Sequence, residues 1–187
     1  MRQSVTNINT NFKEAISSEI FTVISKASKL LSIDSYVIGG FVRDFFLKRG
    51  SAKDIDIVAV GSGIELAEKV ASLLSNKPKV QVFKTYGTAM LRYKDVEIEF
   101  VGARKESYSE ESRNPEVSEG SLADDQNRRD FTINALALSL NELNFGDLSD
   151  PFNGIDDLVK KNIKTPLDPD ITYSDDPLRM MLAIRFA

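Results

Sequence analysis

Neither cysteine nor histidine occurs among the 187 residues of this chain. The first absence removes disulfides and thiolate metal sites, and it fits a reducing compartment. The second removes histidine zinc sites, Ser-His-Asp triads and imidazole bases. Any catalysis must therefore come from carboxylates, lysine, arginine, hydroxyls or a hard metal ion. No apolar run approaches the ~20 residues that cross a bilayer. The stretch Met1 to Thr10 is polar, without the apolar core of a secretory signal. A cytoplasmic location and no membrane partner are expected. Positive charge is not in excess either: 24 Lys and Arg against 28 Asp and Glu leave a net charge of -4. A nucleic acid would have to be held by a local patch or by another part of the protein.

What remains suffices for one domain, or one domain and the start of another. Hydrophobic residues make up 42% of the chain, enough for a real core. Phe12, Ile16, Ile20, Val23, Ile24, Ala27, Leu30 and Leu31 recur at helical spacing, which predicts one amphipathic helix from Phe12 to Leu31. Tyr36 to Ile38 reads as a short strand broken by Gly39-Gly40. Phe41 to Lys48 reads as a short helix, Ile55 to Val60 as a strand and Ile64 to Leu74 as a helix. Val80 to Phe83, Thr88 to Tyr93 and Val96 to Val101 read as strands, the last two joined by a tight turn at Lys94-Asp95. Arg104 to Gly120 is polar and aperiodic, and a mobile loop is expected there. Asp124 to Ala137 is expected to be helical, running into a strand near Leu138. A turn at Asp150 to Gly154, a helix from Ile155 to Lys160 and a final helix from Pro177 to Ala187 complete the reading. Strands alternating with helices predict an α/β or α+β domain with a mixed sheet.

Chemistry concentrates in a few places. Asp54-Ile55-Asp56 opens an apolar strand, and side chains alternate across a strand, so both aspartates share a face. Two neighbouring carboxylates repel unless a cation lies between them. Mg²⁺ takes hard oxygen ligands and keeps water and phosphate in its shell. A third carboxylate could come from Glu97 or Glu99 on the Val96 to Val101 strand. Gly39-Gly40-Phe41-Val42-Arg43-Asp44 follows a strand and opens a helix, an arrangement that lets backbone approach a phosphate. Each of these signals alone is weak.

Together, Gly39-Gly40-x-Val42-Arg43-Asp44 and Asp54-x-Asp56 ten residues on resemble motif A of the polymerase-β-type nucleotidyltransferases. The class II branch is the nearest match, that is, the tRNA nucleotidyltransferase (CCA-adding enzyme) and bacterial poly(A) polymerase family. Arg128-Arg129-Asp130-Phe131-Thr132-Ile133-Asn134-Ala135 resembles motif B. Asp150-Pro151-Phe152-Asn153-Gly154 through Asp157-Leu158 resembles the approach to the hinge motif C. Asp175-Asp176-Pro177-Leu178-Arg179 resembles motif D, and Met181 to Phe186 the start of a neck helix. The likeness covers about residues 20–187.

The resemblance implies an α+β (α/β-like) head with a mixed, mostly antiparallel sheet flanked by helices over residues 1–150. The hinge and start of a helical neck would occupy 151–187. It implies that Asp54 and Asp56 hold Mg²⁺ (or Mn²⁺). The family's third carboxylate lies five residues before an arginine, which from Arg104 selects Glu99 over Glu97, to orient or deprotonate the attacking 3′-hydroxyl. Gly39, Gly40 and Arg43 would contact the triphosphate. Arg128, Arg129, Asp130 and Asn134 would hold ribose and phosphates, and Asp176 with Arg179 would read the base. The partners implied are CTP, ATP and the 3′ end of tRNA, with most of the RNA grip supplied by regions outside this chain. Weak or no turnover of tRNA by the chain alone is expected. Two other readings stay open: a poly(A) polymerase head, and a nucleotide-binding module without catalysis.

Overall fold

The computed structural model describes residues 11–50, 53–109 and 112–187. The polar stretch Met1 to Thr10, and Glu110-Glu111 in the expected loop, lie outside the described residues. In chain order the elements are α1 (Glu19–Leu31), β1 (Asp34–Ile38), α2 (Gly40–Phe46), β2 (Asp54–Val60), α3 (Gly63–Leu73), β3 (Gln81–Phe83), β4 (Thr88–Tyr93) and β5 (Val96–Gly102). There follow β6 (Arg104–Ser109), β7 (Ser112–Glu119), α4 (Leu122–Asn127), β8 (Ala137–Ser139), β9 (Leu148–Ser149), α5 (Gly154–Lys160), α6 (Pro169–Asp175) and α7 (Leu178–Phe186).

Seven strands form one sheet in the order β3-β4-β5-β2-β1-β8-β9. Only β2 and β5 run parallel; the other neighbours are antiparallel. The mixed, mostly antiparallel sheet matches the expected fold class. Its two faces differ. Ile55, Ile57, Ile98, Phe100, Ala89 and Leu91 are buried against α1 and α3 in the main core. α1 contributes Ile20, Phe21, Ile24 and Ala27 to it, and α3 contributes Leu66, Ala67 and Val70. The opposite face carries a smaller cluster of Ile38, Val58, Ala103 and Ala137, with Leu122 of α4 packed on it. Helices therefore seal one face of the sheet and leave part of the other open beside that small cluster.

The local chemistry explains where the elements differ from the sequence expectation. The expected helix from Phe12 to Leu31 is interrupted. A short 3-10 turn spans Phe12–Glu14, and Ser18 is extended at φ -66°, ψ 142°. The Ser17 hydroxyl donates to the Glu14 carbonyl at 2.9 Å, and such serine bonds compete with the helical ladder. The expected helix from Asp124 to Ala137 stops at Asn127. The Phe131 amide donates to the Asp130 carboxylate at 2.7 Å and the Thr132 amide to the Lys164 carbonyl at 2.8 Å. With both amides taken, the ladder cannot continue.

The expected mobile loop is instead a two-stranded ribbon, β6 with β7. Its base is closed by main chain: Ala103 N–H donates to Ala59 O at 2.6 Å, and Gly120 N–H to Ala103 O at 2.9 Å. A Cβ on Gly120 would lie 2.7 Å from the Arg104 carbonyl carbon, so only glycine permits that closure. Polar composition hid two strands that pair with each other rather than with the core. α6 was also unforeseen. Pro169 occupies its first turn, where no N–H is needed, and the Asp168 side chain accepts from Asp170 N–H at 2.8 Å.

Candidate active site

The parallel pairing of β2 with β5 sets Asp54 opposite Glu97 and Asp56 opposite Glu99. Their alternating neighbours are buried on the helix side, so all four carboxylates share the open face. Asp54, Glu97 and Glu99 are exposed, and Asp56 is half-buried. Exposure does not separate the two glutamates, whereas register does: Glu99 lies across from the inner aspartate. Burial pushes the Asp56 carboxyl above the usual carboxylate range. Arg129 opposes that shift, while repulsion from Asp54 and Asp125 adds to it.

Gly39 is where the site converges. It links β1 to α2 at φ 80°, ψ -133°, a conformation poorly open to other L residues. Its N–H donates to Leu136 O at 3.0 Å and its carbonyl accepts from Arg43 N–H at 3.1 Å. A Cβ there would lie 3.0 Å from Arg129 Nη1, 3.6 Å from Asn134 O and 3.7 Å from Asp56 Oδ2. Two segments far from it in sequence, β2 and the stretch after α4, thus meet at one bare backbone turn.

Arg43 is placed differently from an open phosphate grip. Its Nε and Nη2 donate to Asp44 at 2.9 and 3.0 Å, and its Nη1 donates to Asn134 Oδ1 at 2.5 Å. The guanidinium carbon lies 4.9 Å from the centre of the Phe186 ring, which meets Phe131 edge-on at 5.8 Å. Arg43 therefore ties the glycine turn to the segment after α4 and to α7. Asn134 in turn donates to Asp130 Oδ1 at 3.0 Å. Gly40 adjoins this brace, with Arg43 Nη2 3.5 Å from where its Cβ would be.

Arg128 and Arg129 grip one buried carboxylate, Asp125 of α4. Arg128 Nε and Nη2 donate to Oδ1 at 2.9 and 2.5 Å; Arg129 Nε and Nη2 donate to Oδ2 at 3.2 and 3.1 Å. Asp176 precedes α7 rather than lying within it, and its Oδ1 accepts from Leu178 N–H at 3.1 Å. Arg179 Nε stands 4.0 Å from Asp176 Oδ2, and its Nη2 donates to the Arg128 carbonyl at 2.9 Å. Arg128 and Arg179 line a cleft of about 220 Å³, together with Lys105, Asn127, Thr172 and Asp175. A separate apolar groove of about 290 Å³, between α2 and the starts of β2 and β5, includes none of the candidate residues.

Asp44 and Asp157 stand within the quoted motifs but have no role assigned from the sequence, and Asp125 is not singled out at all. Asp157 is buried and accepts from the Thr132 hydroxyl at 2.7 Å, joining α5 to the turn at Thr132–Asn134. A readable signal existed for Asp125: it precedes Arg128 and Arg129 by three and four residues, the spacing at which side chains meet along a helix.

Both the fold and the sequence have close counterparts. Residues 35–164 match the family model described as the poly A polymerase head domain. An A-adding tRNA nucleotidyltransferase of Aquifex aeolicus is 40% identical over 153 residues, 82% of this chain and 18% of that protein. A CCA-adding enzyme of Bacillus velezensis is 37% identical over 154 residues, 81% of this chain and 36% of that protein. Among solved structures, a CCA-adding enzyme in an apo form aligns with a TM-score of 0.82 and 34% identity, covering 95% of this chain and 42% of that one. A tRNA nucleotidyltransferase complexed with a primer tRNA and an incoming ATP analogue aligns at 0.75 with 35% identity, covering 88% of this chain and 44% of that one. The fold is thus that of a polymerase-β-type nucleotidyltransferase head. The chain belongs to the poly A polymerase head domain family, whose members are metal-dependent nucleotidyltransferases. It spans 18 to 38% of the length of the first curated relatives it matches.

Proposed function

We propose that this chain is the catalytic head of an enzyme that transfers CMP and AMP from CTP and ATP to the 3′ end of tRNA, without a nucleic-acid template, releasing pyrophosphate. The observation that carries the reading is the convergence at Gly39, where Asp56 and Arg129 face one backbone turn and Glu99 stands in register beside Asp56. In this reading residues 1–150 form the head, and 151–187 the hinge and the beginning of a helical neck.

The residues fit a divalent ion of the Mg²⁺ kind. Asp54 and Asp56 share one face, and the Asp56 carboxyl is disfavoured as a bare anion, a strain that a cation relieves. No three acidic side chains form a closed cage among the described residues. An open pair suits an ion that completes its shell with water and phosphate oxygens. When bound, such an ion supplies charge neutralisation at the phosphates and eases loss of the hydroxyl proton.

The chain's own residues do the rest. Glu99 orients the RNA 3′-hydroxyl and takes its proton as the oxygen attacks the α-phosphorus. The new P–O bond forms as the bond to the bridging oxygen breaks, and pyrophosphate leaves in line. Arg129 meets the phosphates over the glycine turn, and Arg43, Asp130 and Asn134 keep that turn and the ribose side rigid. Asp176 accepts from an exocyclic amine, and Arg179 donates to a ring nitrogen or carbonyl. Cytosine and adenine both carry that amine, whereas uracil lacks it.

The A-adding relatives at 40, 37 and 30% identity favour a second reading in which AMP alone is added. Extension of tRNAs ending at the discriminator base, at C and at CC separates the readings. CMP followed by AMP gives CCA addition, AMP on the CC end alone gives A addition, and repeated AMP on any RNA gives poly(A) synthesis. Calorimetry with CTP and ATP, with and without Mg²⁺, tests the site itself. Mg²⁺-dependent binding is expected, and Asp54→Ala abolishes it. No binding and no extension would overturn the proposal.

A further inference from the structure

Two arginines in sequence have no reason to work on the same side of a site. Each carries a full charge, and successive residues diverge in direction. Here both forks close on one carboxylate that water does not reach, since Asp125 is 0% exposed. Its anchor is stiff. Ser121 and Asp124 cap the start of α4 reciprocally. The next residue, Gln126, is buried and donates to Ala135 O at 2.7 Å, which pins α4 beside β8.

The geometry divides the labour of the two guanidiniums. Arg129 spends Nε and Nη2 on Asp125, and its remaining nitrogen, Nη1, lies 3.0 Å from the Cβ position of Gly39. Arg128 caps the end of α4 at φ -79°, ψ -6°, its N–H bonded to Asp124 O at 3.3 Å and its side chain anchored on Asp125, and its carbonyl accepts from Arg179 at 2.9 Å. Arg179 is only 14% exposed in its side chain, and among the described residues it also pairs with Asp176. We propose that Asp125 is a positioning residue of the nucleotide site: it aims Arg129 at the phosphates and, through the backbone of Arg128, sets Arg179 against the base. The identity of the ligand rests on the functional reading above. The arrangement of the arginines does not. A single buried carboxylate thereby links the strength of triphosphate binding to the choice of base.

The near-isosteric Asp125→Asn tests this in the chain as it stands, folded state being checked by circular dichroism. Affinity for MgATP and MgCTP falls about 10- to 100-fold, the scale of a lost charge-assisted bond. Preference over MgUTP and MgGTP narrows at the same time, and the slowly exchanging Nε–H resonance of Arg129 disappears from the arginine NMR spectrum. A merely structural ion pair would lower the melting temperature and lose the resonance too, but would leave affinity and base preference in place; that result, or a resonance that persists, overturns the proposal. If Asp125→Asn fails to fold, Asp125→Asn/Arg128→Gln removes the uncompensated cation as well. Weaker MgATP binding and a lost Arg129 resonance relative to Arg128→Gln alone support the proposal, and equality refutes it. If the unaltered chain binds no nucleotide, the functional reading fails separately, and the Arg129 resonance still decides whether Asp125 holds that arginine.

Discussion

Gly39→Ala puts the reading of the site under the sharpest test. Residue 39 sits at φ 80°, ψ -133°, outside the left-handed helical well that alanine can enter at modest cost. Holding an L residue in such a region costs about 1–3 kcal/mol. The turn cannot relax by flipping a peptide, because its N–H is bonded to Leu136 O and its carbonyl to Arg43 N–H. The added methyl also meets Arg129 Nη1 at 3.0 Å, which must give way by a few tenths of an ångström. That end of a flexible side chain moves cheaply, so the stability cost is almost wholly conformational while the functional cost falls on Arg129. For a domain of this size 1 kcal/mol shifts the melting temperature by about 2–4 °C, so a loss of about 4–8 °C is expected near the middle of the range. Gly87→Ala is the control. Gly87 is also at positive φ, but in the left-handed well at φ 65°, ψ 24°, with nothing within 4 Å of its Cβ position. It costs about 1 kcal/mol and leaves nucleotide binding unchanged. Thermal unfolding by circular dichroism, followed by titration with MgATP, reads both effects. Affinity in Gly39→Ala falls about tenfold or more, as a charge-assisted contact is lost. If Gly39→Ala melts no lower than Gly87→Ala and binds MgATP as tightly as the parent, Gly39 is an ordinary turn and the convergence argument collapses.

Three further outcomes follow from the same geometry. The raised carboxyl of Asp56 stabilises the metal-free fold only in its neutral form; that contribution is complete below the ordinary value of 3.8 and is lost as pH rises through the raised folded value. Asp56→Asn should therefore melt higher than the parent at pH 7 without Mg²⁺, with the gap closing on acidification towards pH 3.8; a gap that is absent at pH 7, or constant with pH, contradicts the assignment. Glu99→Gln should lower the RNA extension rate about 10²- to 10⁴-fold, the usual range for a lost proton acceptor, whereas Glu97→Gln stays within a few-fold of the parent; equal effects would remove the distinction drawn from register. Asp157→Ala leaves the buried Thr132 hydroxyl without its acceptor and should cost about 1–3 kcal/mol in urea unfolding. Addition of Thr132→Val should return part of that loss, and no recovery would show that the hydrogen bond is not the source.

The legible parts of the fold were those written as local alternation. β2, β4 and β5 show period-two burial with apolar residues facing the helices, and the expected bounds differ from the observed ones by a residue or so. The illegible parts depend on partners distant in sequence. α4 ends early because Lys164 takes the Thr132 amide, and nothing near residue 127 announces that. β6 and β7 pair at the sheet's margin, where a polar strand and a polar loop have the same composition. The candidate site divides in the same way. Asp54, Asp56 and the glycine turn could be found from spacing, because a shared strand face and a glycine break between strand and helix are local properties. Between Glu97 and Glu99 the strand alone left the choice open and only the family resemblance favoured Glu99; the register that sets Glu99 opposite Asp56 is a fact about two strands separated by α3, β3 and β4.

Asp125 marks the limit most clearly. In sequence it is one of two adjacent aspartates at the start of a short helix, where acidic residues are common because they complement the helix dipole. Asp124 fits that description, capping α4 through Ser121. Asp125, one residue on, points inward and is enclosed by two guanidiniums. The hundred degrees of rotation between successive helical residues is what gives two identical side chains opposite tasks, one ending a helix in water and the other setting charges in the site. The same step bears on the triphosphate site proposed for this acidic chain: the negative charge of Asp125 is taken up internally by two arginines, and Arg129 keeps Nη1 turned towards the backbone at Gly39.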